Sequence, residues 1–122
     1  MSPQEFIHGR LINNTDIVSL VSDRIVPMPA NLDTAMPYIS FGRTQTEFPS
    51  PLTNDDPFRR YTYDLLIVSR KANDNEILVD FVIDELHLLN TDDATCVVLD
   101  AVGEEQEDCF ASLINLRIDL DR

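Results

Sequence analysis

The chain has no tryptophan, three glycines and two cysteines in 122 residues. With so little glycine, neither the G-x-x-x-x-G-K-[ST] nor the G-x-G-x-x-G phosphate cradle is present, and no G-x-S-x-G elbow is found. Cys96 and Cys109 do not form a C-x-x-C pair, and His8 and His87 stand alone, so no zinc set can be assembled from sequence spacing. No apolar run approaches the ~20 residues of a membrane-spanning helix. The opening "MSPQEF" lacks the basic and apolar regions of an export signal. These absences predict a soluble chain with reduced thiols, assembled in a cytoplasm. Cations are scarce as well: 9 Lys and Arg stand against 22 Asp and Glu, a net charge of −13. A tight binder of phosphate backbone needs a lysine- and arginine-rich surface. An acidic wall instead repels a polyanion and keeps it from sticking. Ordinary solubility charge is the plainer reading of the same number.

What is present suggests one domain spanning 1–122. "SPQEFIHGRLIN" reads as a helix with Ser2 as N-cap, Pro3 at N1 and Glu5 completing a capping box, ended by Asn13 and Asn14. "TDIVSLVSDR" predicts a second short helix capped by Thr15. "RIVPMP" carries too much proline for a central strand and reads as an edge strand or arm. In "MPYISFGRTQTEF", Ile39 and Phe41 share one strand face, Tyr38 and Ser40 the other. Residues 49–58, "PSPLTNDDPF", form a long proline-stiffened loop, and such loops often carry function. "RRYTYDLLIVSRK" has the β-branched and aromatic content of a central strand.

"NDNEILVDFVIDELHLLN" predicts the main helix, capped by Asn73 or Asp74. Leu78, Phe81, Val82, Leu86 and Leu89 form its apolar stripe, with Asp80, Asp84 and Glu85 off it. Two strands follow, "TCVVLDAV" and "DCFASLINLRIDLD", joined by the polar turn "GEEQED". The last strand alternates, with Phe110, Ile114, Leu116, Ile118 and Leu120 inward and Ala111, Asn115, Arg117 and Asp119 outward. Cys96 and Cys109 are near enough in sequence to face each other across this hairpin, though packing thiols are the plainer reading. The order α-α-β-β-β-α-β-β predicts an α+β fold: a mostly antiparallel β-sheet with one long helix packed on one face and short N-terminal helices.

No catalytic constellation emerges. The acidic runs at 54–56, 91–93 and 103–108 match no calcium loop, which needs spaced carboxylates, a central glycine and a distant glutamate. Tyr61 and Tyr63 sit at i, i+2, a spacing also used to stack bases, but core or interface packing is the plainer reading in so acidic a chain.

Three segments together resemble the tail-completion, or tail-terminator, proteins of long-tailed bacteriophages. They are "DIVSLVSDRIVP", with its aspartate-arginine pair and apolar-apolar-proline arm, "MPYISFGRTQTE", and "YTYDLLIVSRKANDNEILVDFVIDEL". The final strands match in pattern only. The chain departs from the family at "PSPLTNDDP", where glycine-rich text is usual, and at "KANDNE". The resemblance implies a structural virion protein, not an enzyme, with no cofactor. It implies a homo-hexameric ring that caps the tail tube and joins the head-closure or connector protein. DNA would pass through the lumen without tight binding, and no membrane is involved. On that reading Phe48, Leu52, Asp55, Asp56, Phe58, Arg59 and Arg60 are candidates for the subunit or tail-tube interface. Glu104, Glu105, Glu107 and Asp108 are candidates for an acidic lumen wall. A head-closure adaptor at the neck is the neighbouring alternative, and an acidic mimic of DNA a more distant one.

Overall fold

A computed structural model describes residues 2–31, 33–47, 58–91, 94–105 and 108–121; of 45, 47, 58 and 121 it describes the backbone alone. The Ser2 hydroxyl accepts the Glu5 N–H at 3.1 Å. Pro3 then occupies the first turn, where its missing N–H is no loss, and helix α1 (Pro3–Ile12) follows. The second helix, α2 (Thr15–Val21), is capped one residue earlier than expected. Asn14 Oδ1 accepts the N–H groups of Asp16 and Ile17 at 3.0 and 3.1 Å. Asparagine caps at least as well as threonine, so Asn14, one residue earlier, takes the role.

The prolines of "RIVPMP" confine β1 (Ile25–Pro27) to an edge, as expected. It runs parallel to β2 (Tyr38–Glu47), pairing Ile25 with Ile39 and Pro27 with Phe41. β3 (Phe58–Ser69) is antiparallel to β2 and central to the sheet. Helix α3 (Ala72–Leu86) follows. Then come β4 (Leu89–Asn90), β5 (Ala94–Glu105) and β6 (Phe110–Asp121). The six strands lie in the order β1-β2-β3-β6-β5-β4, antiparallel except for β1 with β2. The fold is α+β, with α3 the longest described helix at 15 residues.

Three local expectations change. The first turn of α3 contains Asn73 and Asp74; its N-cap is Lys71, which makes no side-chain capping bond. "HLLN" does not extend the helix. His87 ends it, Leu88 turns the chain at φ 58°, and Leu89 pairs with Cys96, adding the short β4. The β5–β6 turn is also shorter than "GEEQED", because β5 continues through Glu105.

The helices cover one face of the sheet. α3 packs on β3, β6 and β5, and α1 and α2 pack on α3 and on each other. Beneath them lie Ile39, Leu65, Ile67, Ile114, Leu116 and Ile118, all fully buried, facing Ile7, Leu11, Ile17, Leu78, Val82 and Leu86. The alternation read from the last strand holds from Ile114 to Leu120, whereas Ala111, expected outward, is buried and Phe110 is half-buried; Tyr63 joins this core. The opposite face carries no helix among the described residues.

Asn75 fixes the register of helix on sheet. Buried in the first turn of α3, it donates from Nδ2 to the carbonyls of Ile67 and Phe110, both at 3.0 Å. Its Oδ1 accepts the Ser112 hydroxyl. One side chain thus ties α3 to β3 and to β6, with its amide capacity largely satisfied.

Candidate interaction surfaces

The strand pairing separates the charges along the sheet. At one end Arg43, Arg59, Arg60 and Arg117 lie on β2, β3 and β6 within a few register steps of each other. Arg60 Nε reaches Asp119 Oδ1 at 2.9 Å, and Arg117 approaches the other oxygen at 4.0 Å. Arg59 and Arg43 are exposed. Phe58 begins β3 at this end. The remaining interface candidates, Phe48, Leu52, Asp55 and Asp56, lie outside the described residues.

At the other end stand Glu104, Glu105 and Asp108, all exposed at the tip of the β5–β6 hairpin. Glu107 lies outside the described residues. The structure therefore groups three of the four lumen candidates and holds them a strand's length from Arg59 and Arg60.

Cys96 and Cys109 do not face each other. Cys96 pairs with Ile118 deep in the sheet, whereas Cys109 sits by the hairpin tip, and the two form no disulfide. Burial, with a smaller contribution from Asp119, pushes the Cys96 pKa up to about 12. The histidines have structural partners: His8 packs against Phe41 with ring centroids 6.3 Å apart, and His87 Nδ1 accepts the Val98 N–H at 3.1 Å.

On the open face, register pairing lines up Leu66, Leu113 and Val102 across three strands. The next row is Asp64, Asn115 and Asp100. Burial raises the Asp64 pKa, and the nearby Asp100 charge raises it further. Burial likewise raises that of Tyr63 on the covered face, against an opposing pull from Arg43.

A cleft between α1 and α3 is lined by Phe6, Arg10, Asn13 and Glu85. Its one carboxylate from α3 is occupied: Glu85 Oε2 accepts from Arg10 at 2.9 Å and Oε1 from Asn14 at 3.1 Å. No group of three or more His, Cys, Asp or Glu is placed to hold a metal ion among the described residues. No described helix is long and apolar enough to cross a membrane.

Sequence reasoning missed the exposure of residues 99–102, which with 103–105 all face solvent. "LDAVGEE" mixes apolar and acidic residues without clean alternation, and that is the signal that neither side chain parity is consistently buried.

No protein-family model matches the chain, and no curated protein sequence matches it. Solved structures do share its fold. A chain in the structure described as "Virion of native gene transfer agent (GTA) particle" is similar over 95% of this chain and 92% of its own length. The TM-score is 0.75 at 14% sequence identity. What the two chains share at that identity is the fold.

Proposed function

We propose that this protein is a structural component of a phage-like virion, and within it the tail terminator. On this reading it forms a hexameric ring that caps the tail tube and joins it to the head connector. The single observation that carries the proposal is the near full-length fold likeness to a chain of a gene transfer agent virion. The short helix, aspartate-arginine turn and proline arm over residues 16–27 support the terminator role, because these residues resemble that family. The chain is then an assembly subunit without catalysis. The acidic hairpin carrying Glu104, Glu105 and Asp108 lines the lumen, where it lets DNA slide without counterion-releasing contacts. The arginine end faces the tail tube or the next subunit.

A head-closure adaptor is the second reading, since the same fold likeness supports any structural protein of such a particle. Solution mass, negative-stain images and binding to isolated tail tubes separate these. The expected result is a ring of about six copies with a central hole, seated on tube ends. A ring that ignores tube ends but binds head connectors overturns the terminator role. A monomer that binds neither overturns the virion reading.

A further inference from the structure

β4 pairs with β5 only at Thr95 and Cys96, and His87 takes the next free amide, that of Val98. Beyond that point residues 99–105 have one strand neighbour, β6, and present an open backbone edge among the described residues. Among the described residues five large apolar side chains are exposed; Val102 at 61% and Leu99 at 50% lie on this edge, Leu113 at 42% stands beside Val102 on β6, and Leu88 at 71% precedes β4. An edge that is open, proline-free and apolar is a template for another strand. Its charges are all of one sign: Asp100, Glu104 and Glu105, with no cation.

The opposite margin of the sheet has a second open stretch. β1 covers β2 only from Ile39 to Phe41, so residues 42–47 are unpaired on that side among the described residues. This stretch is polar, nearly equal in length to residues 99–105, and holds the exposed cation Arg43 and one acid, Glu47, at its last position. Two copies meeting through their β5 edges would set three carboxylates against three, which is destabilising. Joining the β5 edge of one copy to the β2 margin of another instead sets the three acids against a stretch of no net charge that includes the cation Arg43. That contact uses two different surfaces, so it repeats head to tail.

We propose that residues 99–105 of one copy of this chain dock on the β2 margin, residues 42–47, of a second copy, continuing the sheet from subunit to subunit. The inference rests on the self-assembly part of the proposed ring. Leu99 and Val102 are covered by the contact, and of the acidic tip Asp108 lies beyond its end.

The test uses single-cysteine variants in a Cys109→Ser background, where the buried Cys96 stays unreactive. Leu99→Cys and Thr44→Cys proteins are mixed, treated with a short bis-maleimide and resolved by mass. A covalent dimer holding one of each is expected, with none from Leu99→Cys alone. The Leu99→Lys, Val102→Lys double variant is expected to lose the assembled species while keeping its circular dichroism. Linkage of Leu99→Cys to itself overturns the proposal in favour of a two-fold contact. Rings that form without cross-linking, and survive the lysines, overturn the edge pairing and leave the ring standing. Cross-linked dimers or open chains do the reverse. A monomer under all conditions overturns both.

Discussion

The two margins of this sheet are built in opposite ways. The β1 side is a three-residue strand closed by Pro27, followed by Pro29 and approached by Pro37. Proline offers no N–H to an incoming strand, so this margin is blunted where β1 covers it. Arg24 reinforces it, donating from Nε to the Pro37 carbonyl at 2.9 Å and from Nη2 to the Leu20 carbonyl at 3.4 Å. The β5 side has no proline and no cation over residues 99–105, and it exposes Leu99 and Val102. A bulge between Val98 and Asp100 is its one irregularity. The contrast teaches that charge of a single sign is the main guard of the β5 margin. Such a guard repels a second β5 edge but admits a cationic partner.

The largest effect that sharpens this contrast is expected at Asn75. Asn75→Ala removes two donated bonds and the acceptor of the Ser112 hydroxyl, leaving buried groups unmet. Each such group costs about 1–3 kcal/mol, so a loss of about 3 kcal/mol is expected in urea unfolding. Hydrogen exchange should locate the loosening at β6 and the β5 hairpin, with β1 and β2 still protected. Equal loosening of both margins would show that α3 holds the whole sheet and not one side of it.

A smaller effect is expected at the guarded margin. Arg24→Ala removes charged donors from two carbonyls, and about 1.5 kcal/mol is expected from bonds of this kind. The exchange pattern should invert, with the β1 and β2 amides opening first. If the β5 hairpin opens instead, the two margins are not independent.

The smallest effect lies between the margins, at Asp64 on the open face. Its carboxyl pKa is raised by burial and then by Asp100, so the folded chain holds this proton more tightly than the unfolded one. Stability from this group is therefore fully present below its ordinary value of 3.8 and is lost as pH rises through the raised folded value. Asp64→Asn should raise the melting temperature slightly at neutral pH, with the gain vanishing in acid. A gain independent of pH would assign the effect to packing.

Much of this architecture was legible in the residues. Ser2 and Pro3 marked the first helix, the prolines marked β1 as an edge, and the alternation after Phe110 marked the covered face of β6. Those signals are local, so neighbouring residues decide them. The failures were of two kinds. Asn14, read as the end of α1, took the cap expected of Thr15, and Lys71 precedes α3 in place of Asn73 or Asp74, whose neighbour Asn75 bonds to the sheet. β4 was invisible because two residues carry no periodicity; Leu88 must turn at φ 58° before they pair. The candidate site was legible as composition only. Glu104, Glu105 and Asp108 were separable from Arg59 and Arg60 by strand pairing alone, which no single segment encodes.

The ladder between β3 and β6, from Phe58 opposite Asp121 to Ser69 opposite Phe110, has a consequence for how the chain folds. It is the single seam between an amino-terminal group of strands and a carboxy-terminal hairpin, each built from contacts near in sequence. Its nearest ends, Ser69 and Phe110, are separated by α3, β4 and the whole of β5. Closing that long loop is the costliest conformational step in the sheet. The helix that spans it brings its own fastener, since Asn75 bonds to a carbonyl on each side of the seam. The two halves of the molecule are thus joined by one zip whose starting stop is a single asparagine.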